Sequence, residues 1–131
     1  MTTTDDELIE LLEAFGDAFG AQDTRILKAL FDDENVCFVG SESLVLHDDS
    51  DLERFFGVYA AQPASFSFEW DSCQVSSDDQ WGWIVGFGRE VRQERVAITK
   101  EPIRLTLVCR RRADGWRISH LHSSTPSGGG S

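Results

Sequence analysis

The segment Asp114-Gly115-Trp116-Arg117-Ile118-Ser119-His120-Leu121-His122-Ser123-Ser124-Thr125-Pro126 carries two imidazoles, two residues apart, in an alternating run. Imidazole has an unperturbed pKa of about 6.5, so it can take or give a proton near neutral pH. Strand side chains alternate between faces, which predicts Trp116, Ile118, His120 and His122 on one face, apolar first and titratable after. Such a face is expected to be the wall of a pocket, with His120 and His122 as candidate catalytic residues, either as a general base or as hydrogen bonders. A histidine pair at i, i+2 could also ligate a metal, with His47, Asp48 or Asp49 completing the set. The His-x-His spacing is common by accident, so no metal and no cofactor is expected.

A second alternating run places Trp81, Trp83, Val85, Phe87 and Arg89 opposite Gly82, Ile84, Gly86, Gly88 and Glu90. The bulky set is the expected buried face. Arg89 would then stand at a cavity mouth, where its planar fork could clamp a carboxylate or phosphate. The competing reading of Arg89 is a rim residue paired with an acidic side chain. Trp81, Trp83 and Trp116, with Trp70, could form an aromatic wall for a flat ligand, or be plain core. Phe15, Phe19 and Tyr59 are further candidate ligand contacts. Glu69, Asp71 and Glu90 fall opposite the aromatics and are expected to face outward or an interface.

The elements that position these residues follow from periodicity. Thr4-Asp5-Asp6-Glu7 has capping-box spacing, and Leu8, Leu11, Leu12, Phe15 and Phe19 repeat behind it as a helical stripe. Gly20 is a stop, and Asp23 can cap a second helix bearing Ile26, Leu27, Leu30 and Phe31. Val36–Val39 and Leu44–Leu46 read as short strands around Gly40-Ser41-Glu42-Ser43. Ser50-Asp51-Leu52-Glu53 is a second capping box, opening a helix with Leu52, Phe55, Phe56 and Tyr59. Long strands then carry Phe66, Phe68 and Trp70, the Trp81–Glu90 run, and Ile103, Leu105, Leu107 and Cys109, before Asp114-Gly115 turns into the last strand. Helices at the front and antiparallel strands behind describe an α+β fold: a strongly curved antiparallel sheet forming a cone with three helices on its concave side. Residues 1–126 make one domain, and Ser127–Ser131 is a flexible Gly/Ser tail.

Composition narrows the partners. The net charge is −11. Residues 1–53 carry 15 acidic and 2 basic side chains, and residues 54–131 carry 8 and 10. That acidic half would repel phosphate backbones, so no nucleic acid is expected. No apolar run approaches the ~20 residues of a membrane span, and the N-terminus lacks the features of a signal peptide, so no membrane partner and a cytoplasmic location are expected. Cys37, Cys73 and Cys109 are odd in number and far apart, and read as packing thiols.

In this order of elements, Leu30-Phe31-Asp32-Asp33-Glu34-Asn35-Val36, Gly40-Ser41-Glu42 and Gly115–Ser123 ending near Pro126 carry a resemblance. Over residues 5–126 the chain resembles the nuclear transport factor 2-like (ketosteroid isomerase-like) superfamily, and within it the SnoaL-like domains. The resemblance implies a cystatin-like cone fold and a homodimer through the outer face of the sheet, whose Val108 and Ile84 would need a cover. For function it implies a small-molecule-binding protein with a partly apolar pocket inside the cone. The alternatives are an acid–base enzyme (cyclase, dehydratase, isomerase or hydrolase) using His122 or His120, and a non-catalytic association domain. The isomerases carry an aspartate in the first strand and a tyrosine on the first helix. Here Val36–Val39 holds no carboxylate and Tyr59 falls on the third helix, so isomerase chemistry of that kind is not expected.

Overall fold

A computed structural model describes residues 3–32, 36–40 and 45–125 of the chain. The expected features at Asp33–Asn35, Ser41–Leu44 and Pro126–Ser131 lie outside the described residues.

Three helices precede the long strands: α1 (Thr4–Gly20), α2 (Thr24–Leu30) and α3 (Asp49–Ala60). Thr3 caps α1 and forms the capping box with Asp6, one residue ahead of the expected pair. Asp23 caps α2 as expected. Asp48, rather than Ser50, caps α3 by accepting from the Asp51 amide. Thr3 and Asp48 cap because they sit where the chain is still extended, with their side-chain oxygens over the first free amides.

The strands are β1 (Cys37–Val39), β2 (Val45–Leu46), β3 (Ser65–Ser77), β4 (Trp81–Gln93), β5 (Ile98–Arg112) and β6 (Gly115–Ser124). They form one curled sheet in the order β2-β1-β6-β5-β4-β3. It is antiparallel except where β1 runs parallel to β6, so the sheet is mixed. The β5–β6 hairpin turns at Gly115, whose φ of 132° is open to glycine and strained for other residues. No helix among the described residues is long and apolar enough to cross a membrane.

The core lies between the helices and the concave face of the sheet. Leu8, Leu12 and Phe15 from α1, Leu27 from α2, and Leu52 and Phe56 from α3 meet Ile84, Leu105, Leu107, Ile118 and Leu121 from the sheet. The glycine-bearing face of β4 is therefore the inner one. Glycine is needed there because side chains lie directly on the strand: a Cβ on Gly82 would come within 2.8 Å of Leu8 from α1, and one on Gly86 within 2.8 Å of the Trp70 ring from neighbouring β3. The bulky residues of β4 point the other way. Trp81 and Trp83 are 43% and 40% exposed on the outer face, whereas Ile84, expected outside, is fully buried.

Candidate ligand-binding site

Two bulges decide which side chains reach the interior. On β6, Val108 of β5 pairs with His120 and Cys109 pairs with Ile118, leaving Ser119 as an extra residue. A bulge of one residue reverses the alternation beyond it. Trp116 and Ile118 are thus buried on the inner side, but after Ser119 it is Leu121, 1% exposed, that follows them. His120 is half-buried and His122 exposed, both sharing the outer face with Val108 and Thr106. The expected common face of Trp116, Ile118, His120 and His122 is corrected accordingly. On β3 the extra residue is Asp71, between Trp70 and Ser72.

Arg89 is also on the outer face. Its guanidinium donates to both oxygens of Asp71 at 3.1 and 3.2 Å and to Glu69 at 3.3 Å, and Lys100 joins the same Glu69 carboxylate at 3.3 Å. It is the paired rim arginine, not a clamp at the cavity mouth. Trp81 and Trp83 likewise lie away from the interior, with the Arg110 guanidinium 5.5 Å from the Trp81 ring. Trp116 is inside, but its ring is covered by Arg111 at 4.6 Å and does not line the cavity. Among the described residues no group of histidine, cysteine and acidic side chains is arranged to hold a metal ion.

The cavity is built by α1, α3, β1 and the inner faces of β3 to β6. One lobe, of about 270 Å³, is walled by Phe19, Phe55, Tyr59 and Phe66, with Val58, Gln62 and Glu90. A second, of about 140 Å³, lies between Phe15, Phe38, Phe68, Leu105 and Leu121, with Gly40 and Ser123. Phe19, Phe55 and Glu90 border both lobes. The rings brace one another: Phe19 lies 4.3 Å from Tyr59 and 5.7 Å from Phe68, and Tyr59 lies 5.7 Å from Phe66. The Tyr59 hydroxyl donates to the Phe19 carbonyl at 2.6 Å and accepts from the Phe66 amide at 3.3 Å. Of the expected contacts, Phe15, Phe19 and Tyr59 are the ones that border this space.

Glu90, expected to face outward, projects into it. It stands between Phe68 on β3 and Glu101 on β5. Burial raises its carboxyl above the ordinary carboxylate range; Glu101 adds to the rise and Arg92 opposes it. Burial also raises the Tyr59 phenol, and the charge of Glu90 adds to that. The signal for Glu90 was the glycines. Gly82, Gly86 and Gly88 mark the crowded inner face, against Leu8 of α1 at Gly82 and against β3 at Gly86 and Gly88, and the same alternation carried forward ends on Glu90.

Residues 8–128 match the SnoaL-like domain family. No curated protein matches the chain. Among solved structures, a proposed dehydratase of the nuclear transport factor 2-like family from Streptomyces avermitilis superposes with a TM-score of 0.84 at 19% identity, covering 93% of this chain and 95% of that one. A nuclear transport factor 2-like superfamily protein from Salmonella enterica gives 0.82 at 18% identity, over 96% and 93%. A proposed calcium/calmodulin-dependent protein kinase II association domain from Xanthomonas campestris gives 0.82 at 15%, over 97% and 91%. At these identities the likeness concerns the fold, which a proposed dehydratase and a proposed association domain share. With nearly its whole length matched by the family and its curled sheet enclosing three helices, the chain belongs to the SnoaL-like domain family.

Proposed function

We propose that this protein binds a small, partly apolar organic molecule in the two-lobed cavity between α1, α3 and the concave face of the sheet. The supporting observation is the composition of the walls: braced aromatic rings with a single carboxyl, Glu90, among the described lining residues. Ligand sites are commonly apolar clefts with a few fixed polar groups. An open cavity also favours binding over an association domain whose cone is packed shut. The test is titration with the neutral fluorophore N-phenyl-1-naphthylamine. Emission should rise and shift to the blue, and Phe55→Trp, which fills the space between the lobes, should abolish the rise. A folded wild-type protein that leaves the emission unchanged would overturn this reading.

A second reading is an acid–base enzyme, with Glu90 in the part first expected of His120 or His122. The raised carboxyl favours it, because an acid poised closer to neutrality transfers protons more effectively. Glu90→Gln should then abolish turnover while dye binding persists. We also propose the homodimer, with the outer face carrying Trp81, Trp83 and Val108 as the surface shared by two copies. Sedimentation equilibrium would show a dimer that Trp83→Glu converts to monomer.

A further inference from the structure

The cavity joins two features: aromatic rings on several sides and a carboxyl among them. Phe19, Phe55, Tyr59 and Phe66 line the larger lobe together with Glu90. The negative face of an aromatic ring attracts a cation, most strongly where water is excluded. The rim already contains such a contact, since the Arg92 guanidinium lies 5.6 Å from the Phe66 ring centre. Within the lobe, Glu90 supplies the counter-charge that the rings lack.

The charges around the cavity point the same way. An anionic ligand would meet Glu90 with Glu101 directly across the β4–β5 ladder. The nearest guanidinium, Arg92, is engaged by Glu94 at 3.1 Å. Farther out, the chain carries a net charge of −11, concentrated in residues 1–53, which supply α1 and most of the first turns of α3. That field raises the local concentration of cations and lowers that of anions.

Building on the proposed binding function, we propose that the cavity takes an organic cation: a substituted ammonium whose alkyl or aryl groups rest on the rings and whose charge faces Glu90. Such a ligand prefers the ionised form of Glu90, so its affinity should rise with pH until Glu90 is fully ionised. A neutral apolar ligand prefers the protonated form and should weaken over the same range. The other groups facing Glu90 are Glu101 from β5, Arg92 on its own strand and Tyr59 from α3; β3 presents Phe68 and α1 presents Phe15 and Phe19.

The experiment uses two isosteric, water-soluble probes: choline and 3,3-dimethylbutan-1-ol, which differ in one charge. Each is titrated into the full chain while displacement of N-phenyl-1-naphthylamine and the amide shifts of Phe19, Tyr59 and Glu90 are followed. Choline should bind roughly tenfold or more tightly than the alcohol, a difference of about 1.4 kcal/mol. Its affinity should rise with pH, and Glu90→Gln should remove both the preference and the pH dependence. Phe66→Leu, which leaves every charge in place, should weaken choline more than the alcohol. If the dye binds but choline displaces it no better than the alcohol, the cation proposal is overturned and the binding function stands. If the dye itself does not bind, both fall.

Discussion

Glu90 and Glu101 stand opposite each other across the β4–β5 ladder, on the side of the sheet that faces the helices. Like charges directly opposed in a sheet cost stability, by roughly 0.2–1 kcal/mol. Burial and Glu101 together raise the Glu90 carboxyl, so the folded chain keeps its proton at pH values where the unfolded chain has lost it. Stability at this site therefore falls as pH rises from the unfolded value of ~4.3 through the raised folded value, and is level beyond it. Glu90→Gln should remove that decline and raise Tm at neutral pH. Glu101→Gln should shift the decline towards lower pH. Thermal unfolding of the three proteins from about pH 4 to about pH 8 checks both; a wild-type Tm that rises through this interval while Glu90→Gln stays level would contradict the assignment.

The bulge at Ser119 predicts an asymmetry between neighbours on β6. Leu121→Ala should cost ~2–5 kcal/mol, because it removes a 1% exposed side chain from the core, beside Leu107 of β5 and Phe38 of β1. His122→Ala, on the exposed side, should change stability by no more than about 0.5 kcal/mol. Urea denaturation measures both. Equal losses would mean that the reversal of faces does not occur.

Gly86 and Gly88 should resist substitution for different reasons. At Gly86 the added methyl meets the Trp70 ring, which can shift at the expense of its stacking on Phe68. A cost of ~1–3 kcal/mol is expected for Gly86→Ala. At Gly88 the methyl would run into the backbone carbonyl of Glu69, which has no free rotation to escape it. Gly88→Ala should be the worse of the two and should disturb the β3–β4 pairing, visible as lost protection of those amides in hydrogen exchange.

The sequence was legible wherever local spacing was the whole story. The three helices, the strand segments along the chain and the turn at Gly115 follow from caps, stripes, alternation and one Asp-Gly pair. The faces of the strands were harder, because they depend on partners. Ser119 has no local mark that distinguishes a bulge from regular strand; it becomes an extra residue only when β5 is laid beside β6. Trp81 and Trp83 misled for a different reason. Size suggests burial, yet a partly apolar outer face also takes large rings, and the inner face needed glycine instead. Phe15, Phe19 and Tyr59 border the cavity because a helical stripe has only one way to face a sheet. Glu90 was missed because its charge argued for solvent and its position for the interior, and position prevailed.

The cysteines should separate by reactivity. Burial pushes the Cys109 thiol up to about 12, so little thiolate exists near neutral pH and reagents have no path to it. Cys73 is exposed, although partial burial of its sulfur and nearby Glu13 also raise its thiol. Titration with a disulfide reagent should modify Cys73 slowly in the native protein and Cys109 only after unfolding. Mass spectrometry of the partly labelled chain identifies which has reacted.

Gln22 holds a positive φ of 55° at the end of α1, and its side-chain amide lies 3.1–3.2 Å from three carbonyls: Tyr59, Gln62 and Ala64. An amide nitrogen has two hydrogens, so three acceptors share two bonds and each can be left briefly without losing the knot. Together with the Tyr59 hydroxyl on the Phe19 carbonyl, this fastens the end of α3 to the end of α1 before any guest arrives. The ordering entropy of the two helices that flank the larger lobe is thereby spent during folding rather than at the encounter. A guest should therefore meet a ready-made enclosure, and its arrival should be fast and second-order instead of waiting on a slow rearrangement of the host.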